Sequence, residues 1–179
     1  MIIIMGSVGS GKSEQTNRLS ARLNLPHISI SNLLRLYLTP EREAKMLAGD
    51  LVDDEDVIEI LEPVLKNIPA GQDFILDGFP RTVPQAEWLA SKFKSGEVKL
   101  KAIIKLDVSD QTVLTRMLSR GRADDQKEVI LHRLETYHKM TKPVVDYFRS
   151  KDIAVHDIDG EQTPDTVEVQ IKKVLDSNK

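Results

Sequence analysis

Short, wholly apolar runs alternate along this chain with longer stretches in which apolar residues recur every three or four positions. Ile2-Ile3-Ile4-Met5 is apolar at consecutive positions and leads into glycines, the pattern of a strand buried on both faces. Phe74-Ile75-Leu76 runs to Asp77-Gly78, Ala102 to Leu106 runs to Asp107, and Ile153-Ala154-Val155 leads to Asp157. A shorter piece, His27-Ile28-Ser29, follows Pro26. These predict five strands. Between them lie helical patterns: Lys12 to Leu23, a segment opened by Asp54-Glu55-Asp56, one capped by Ser109 and running to Ser119, and a last one opened by Thr163-Pro164. From Asp125 to about Phe148 the apolar positions Ile130, Leu134, Tyr137, Thr141, Val144 and Phe148 keep close to the helical period, with Pro143 expected to kink that helix. Buried strands alternating with helices predict an α/β fold, a five-stranded parallel sheet covered by helices on both faces in three layers. Ligands in such folds bind at the carboxyl ends of the strands.

Composition narrows the class. A chain of 179 residues, 40% hydrophobic and 30% charged, suits one soluble domain over residues 1–179. The formal net charge of −3 supplies no basic field for nucleic acid, so anion binding must come from local clusters of Arg and Lys. There is no Cys, which excludes disulfides and thiolate zinc sites and suits a reducing, cytoplasmic compartment. The amino terminus carries no basic n-region and only a brief apolar run, so neither a signal peptide nor a membrane span is expected. His27, His132, His138 and His156 form no metal spacing, and Trp88 is expected in the core.

Gly6-Ser7-Val8-Gly9-Ser10-Gly11-Lys12-Ser13 stands between the first strand and the first helix. Successive backbone N–H groups in such a turn form a concave anion site, reinforced by the positive end of the helix. Lys12 can reach the β- and γ-phosphates, and the Ser13 hydroxyl is placed to ligate Mg²⁺. This is the phosphate loop of the P-loop NTPase fold, which serves GTPases, ATPases and small-molecule kinases alike. A guanine-reading Asn-Lys-x-Asp stretch is missing, which disfavours a GTPase.

The acceptor is indicated further along. Asp77-Gly78-Phe79-Pro80-Arg81-Thr82-Val83-Pro84-Gln85, with Leu33-Leu34-Arg35, Gly121-Arg122-Ala123-Asp124-Asp125 and Arg133-Leu134-Glu135-Thr136-Tyr137, resembles the adenylate kinase branch of the nucleoside monophosphate kinases, in the right order over nearly the whole chain. The resemblance implies transfer of the γ-phosphate of Mg·ATP to AMP, giving two ADP, by a monomer. It implies an ATP site at Gly9, Ser10, Gly11, Lys12, Ser13, Glu14, Arg116, Arg120 and Gly160. It implies an AMP site at Ile30, Ser31, Arg35, Leu51, Val52, Gly78, Phe79, Arg81, Gln85, Arg122 and Arg133, and Mg²⁺ held at Ser13 and Asp77. The catalytic cations would be Lys12, Arg81, Arg120, Arg122 and Arg133, with residues 29–58 as a monophosphate-binding insertion and 120–125 as a very short lid. The chemistry fits, because phosphoryl transfer between polyanions is chiefly positioning and charge stabilisation. Arginine grips phosphate oxygens bidentately and keeps its charge.

Several positions carry a second reading. Asp77 could cap a turn at a strand end. Gln85 could close a capping box with Thr82, alone or as well as reading adenine. Asp124 and Asp125 could cap the following helix instead of orienting lid arginines, and Gly160 could be an ordinary turn glycine. The chain also departs from the family at Val8, at Ser13-Glu14 and at Ser29-Ile30-Ser31-Asn32, where the family has Ser-Thr-Gly-Asp. Ile30 offers no hydroxyl and Asn32 no carboxylate, and such losses are worth ~1 kcal/mol each. The departures keep two alternatives open: a kinase for UMP, CMP or a deoxynucleotide, and a nucleotide-binding regulatory protein with weak transfer.

Overall fold

The structure is a computed structural model and describes residues 1–177. The first apolar run forms β1 (Ile2–Gly6), and its neighbours follow as β2 (His27–Ser29), β3 (Ile75–Asp77), β4 (Ala102–Asp107) and β5 (Val155–Asp159). All pair in parallel, in the order β2-β3-β1-β4-β5. The central strand has both faces buried because its side chains alternate between two cores. Ile3 joins Leu76 and Ile103 on one face, while Ile2 and Ile4 join Ile75 and Ile104 on the other. The register Ile3↔Leu76 and Ile3↔Ile103 produces this sorting.

Helices cover each face. On the first lie α2 (Ile30–Tyr37), α4 (Asp54–Lys66), α5 (Val83–Lys94) and α8 (Lys142–Ser150), contributing Leu34, Leu61, Leu89 and Phe148. On the second lie α1 (Lys12–Leu23) and α9 (Pro164–Ser177), contributing Leu19, Val167 and Ile171. A third, smaller core joins α6 (Asp110–Arg120) to α7 (Lys127–Thr136) through Val113, Met117, Ile130 and Leu134. A further helix, α3 (Pro40–Ala48), buries no residue. This is the three-layer α/β fold that the alternating pattern predicts.

Two elements differ from expectation. The long helix is not continuous: a π turn, Tyr137–Thr141, separates α7 from α8, and the Lys142 N–H reaches back to the Tyr137 carbonyl. Pro143 has no N–H and sits in the first turn of the new helix, where none is needed. The last strand starts at Val155 rather than Ile153 and extends through Asp159. Its extent follows the ladder to β4, from Ile103↔Val155 to Asp107↔Asp159, instead of its apolar content.

Candidate active site

Between β1 and α1 the chain turns tightly enough that glycine is required. At Gly6 (φ +146°) a Cβ would stand 2.7 Å from Ser10 Oγ and 2.9 Å from the Leu106 carbonyl oxygen. Gly11, in the left-handed region, caps α1 without a side chain to accept from the first-turn N–H groups, which stay available to an anion. The Ser7 carbonyl accepts from Ser10 Oγ at 2.8 Å and from Lys12 Nζ at 2.6 Å. Burial pushes the Lys12 ammonium down to about 8; Asp77 opposes the shift, and Arg81 and Arg120 add to it.

Parallel register sets Asp77 opposite Ile4, at the carboxyl end of the strand beside β1. There the Ser13 hydroxyl donates to Asp77 Oδ2 at 3.2 Å. The other oxygen, Oδ1, is buried and has no hydrogen-bond partner. A carboxylate oxygen is rarely left so. The hydroxyl and the unanswered oxygen fit a hard cation, and both are oxygen donors of the type Mg²⁺ takes.

Above this floor lies an open cleft of ≈ 700 Å³. Lys12, Arg35, Arg81, Arg116, Arg120, Arg122 and Arg133 all line it, so every cation singled out in the sequence converges on one space. Arg81 donates from Nε to the Gly78 carbonyl at 3.0 Å, and its Nη2 lies 3.4 Å from Ser31 Oγ. Burial pushes its guanidinium below the ordinary value, with Asp77 opposing and Arg133 reinforcing. Arg35 is exposed in the cleft, near the Ser31 carbonyl and Asn32 Oδ1.

On the opposite wall, α6 ends at Gly121 and α7 starts at Lys127, leaving residues 121–126 as the connection. Asp125 takes Arg120 in a fork, Nε–H to Oδ2 at 2.9 Å and Nη2 to Oδ1 at 2.6 Å, and accepts the Arg122 N–H at 3.0 Å. Those bonds from Arg120 hold the Asp125 carboxyl below its usual range despite its burial. Asp124 pairs with Arg133 at 2.8 Å. The N-cap of α7 is Gln126. Both aspartates therefore orient arginines, and neither caps the helix. Arg116 donates to the Gly160 carbonyl at 3.0 Å.

Not every expected residue lines the cleft itself. Ser10 is buried beneath the loop, and Gly160 lies outside the cleft, its N–H bound to the Asp107 carbonyl at 2.8 Å. A Cβ on Gly160 would stand 2.7 Å from Val108 Cγ2, so close packing of two loops requires this glycine. The Glu14 carboxylate is taken by Arg18 at 2.6 Å. Ile30, Val52 and Gln85 line a small recess of ≈ 40 Å³ beside Arg81 and Gly78; Leu51 faces both spaces. Phe79 is fully buried and packs edge-on against Trp88 at 5.9 Å.

Other contacts had no signal in the sequence. His132 Nε2 meets Asp50 Oδ1 at 2.7 Å, and Arg133 donates to the Leu47 carbonyl at 3.1 Å, tying α7 to the end of α3 across the cleft. Gly49 permits the approach: a Cβ there would stand 3.0 Å from the His132 ring. Asp54, read only as a first-turn acid, receives bonds from Thr82 and Gln85. A carboxylate placed to accept from a distant helix looks the same in sequence as one answering its own helix dipole.

Comparison with known proteins points to one family. The family model for adenylate kinase matches residues 4–153. The chain is 37% identical to an adenylate kinase of Synechococcus sp. (strain CC9902), over 98% of each chain. It is 38% identical to an adenylate kinase of Corynebacterium urealyticum, over 84% of this chain and 86% of that one. It is 36% identical to adenylate kinase 1 of Nostoc sp. (strain PCC 7120), over 98% of each. On the converging cations, the phosphate loop and these matches, the chain belongs to the adenylate kinase family.

Proposed function

We propose that the chain moves the γ-phosphoryl group between Mg·ATP and AMP, with the donor on the Gly6–Ser13 loop and the acceptor against Arg35 and Arg81. The observation that carries this reading is the convergence of seven cations on one cleft in a chain of net charge −3. ATP binding alone needs no Arg35 or Arg81 on the far wall, and two polyanions brought together need both sides.

The loop N–H groups and Lys12 bind the donor phosphates and orient the γ-group. Ser13 and Asp77 would hold Mg²⁺, which when bound supplies charge neutralisation at the β- and γ-phosphates. Arg35 and Arg81 seat the acceptor phosphate so that one of its oxygens faces the γ-phosphorus in line. Arg120, fixed by Asp125, and Arg133, fixed by Asp124, add preset positive charge where negative charge spreads in the transition state. Residues 121–126 carry Arg122 to the edge of the site. Gln85 reads the acceptor base from the recess beside Arg81. That recess, of ≈ 40 Å³, adjoins the larger cleft, with Ser31, Leu51, Gly78 and Arg81 lining both.

Arg81→Ala tests the acceptor half. Because fixed cations carry the barrier reduction, turnover with AMP should fall about a hundredfold or more while ATP affinity stays within a few-fold. Near-normal turnover in that variant would contradict the assignment.

A further inference from the structure

Asp54 opens α4, and its Oδ1 accepts from Gln85 Nε2 at 2.8 Å and from Thr82 Oγ1 at 2.8 Å. On the other side of the same amide, Gln85 Oε1 accepts the Arg81 N–H at 2.8 Å. Gln85 is 2% exposed and faces the small recess among Ile30, Leu34, Val57 and Gly78. A carboxylate only accepts and a backbone N–H only donates. The two anchors therefore demand the same amide orientation. A flipped amide would set oxygen against the Asp54 carboxylate and NH₂ against the Arg81 N–H. With both anchors engaged, the amide keeps one N–H and one oxygen lone pair for the recess, in a fixed order.

We propose that Asp54 is a specificity-determining positioning residue, which locks the Gln85 amide so that it pairs with an amino-purine edge and rejects an oxo-purine edge. The inference rests on the reading of Gln85 as the base-contacting residue. Adenine offers a ring-nitrogen acceptor at N1 beside an amino donor at N6. Hypoxanthine and guanine reverse the order, with a donor N1–H beside the O6 acceptor. An amide free to rotate serves either edge. One held at both ends serves only the first, because turning it breaks two buried hydrogen bonds at once. Selectivity then comes from a residue two elements away from the base, through a group that never touches the substrate. Thr82 shares the carboxylate and is the cap of α5, so the same contact also joins the starts of α4 and α5.

The test compares kcat/KM for AMP and for inosine monophosphate, with Mg·ATP saturating, in the parent protein, Asp54→Asn, Gln85→Ala, Gln85→Ala with Asp54→Asn, and Thr82→Val. Asparagine keeps the shape of Asp54 but presents a donor as readily as an acceptor. The AMP preference should fall about tenfold in Asp54→Asn, through a rise in KM for AMP and a gain for inosine monophosphate. Gln85→Ala should lose the preference, and Asp54→Asn should add nothing in that background. Thr82→Val should lower Tm while the preference stays, because it removes the structural tie and leaves the amide anchored. If Asp54→Asn does not fold, Asp54→Ser carries the same expectation. An unchanged AMP preference in the Asp54 variant, alongside its loss in Gln85→Ala, overturns the anchor. An unchanged preference in Gln85→Ala overturns the reading of Gln85 itself, and the anchor with it.

Discussion

The Lys12 ammonium is enclosed beside Arg81 and Arg120, donates to the Ser7 carbonyl and feels the Asp77 carboxylate. Its folded value of about 8 lies below the ordinary 10.5, so between those pH values the unfolded chain binds more protons than the folded one. Stability accordingly rises with pH across that window, and the folded state carries the full penalty below it. Lys12→Met should raise the stability of the nucleotide-free protein at neutral pH by an amount on the order of 1 kcal/mol and flatten its rise between pH 8 and 10.5; a lower Tm in the variant contradicts this. Triphosphate restores the charge, so Mg·ATP binding near pH 8.5 should take up a proton, seen as a dependence of binding heat on buffer ionisation enthalpy. Lys12 was legible in the sequence because a fixed spacing of glycines announces it. Asp54 was not, since its partner Gln85 stands 31 residues away and only the packing of two helix starts brings them together.

At the scale of elements, the connection between α6 and α7 is short and is tied together at one aspartate. Asp125, with its side chain wholly buried, holds Arg120 by two bonds and the Arg122 N–H by a third. Asp125→Asn keeps the shape and removes the charge, so Arg120 loses its fork; turnover should fall about tenfold, with a stability loss of about 1–3 kcal/mol. An unchanged kcat with lowered Tm would make the pair structural only. The Asp125 carboxyl is depressed, so its contribution is present above the ordinary carboxylate value and is lost as pH falls through the lower folded one. Strands and most helices were readable because burial imposes periods of two and 3.6. The π turn was not, since one extra residue leaves Thr141, Val144 and Phe148 buried as a continuous helix would. The early start assigned to the last strand failed for a related reason. Ile153 packs on the core from a loop, while polar Asp157 and Asp159 lie in the ladder.

Across the whole molecule, the cleft is positive while the chain is net negative, so attraction for nucleotides is local to one end of the sheet. The floor and the cations were legible from motifs. The crossing contacts Asp50–His132 and Leu47–Arg133 were not, because they join segments more than 80 residues apart and depend on how α3 rests on α7. A connection of residues 121–126 covers little of a ≈ 700 Å³ opening, so water should reach the γ-phosphate when no acceptor is bound. ATP hydrolysis without AMP should therefore be measurable above a Lys12→Ala control, and no excess over that control would count against the short connection as the source.

The acceptor half departs from the family pattern at Ile30 and Asn32, and AMP remains its expected acceptor. ADP formation from Mg·ATP with AMP, CMP, UMP and GMP, measured side by side at equal concentration, tests it directly. AMP should be the best acceptor by about tenfold or more over each of the others, as a base site that hydrogen-bonds one edge rejects the rest. AMP as the poorest acceptor, or tight ATP binding with no ADP formed from ATP and AMP, would contradict the account.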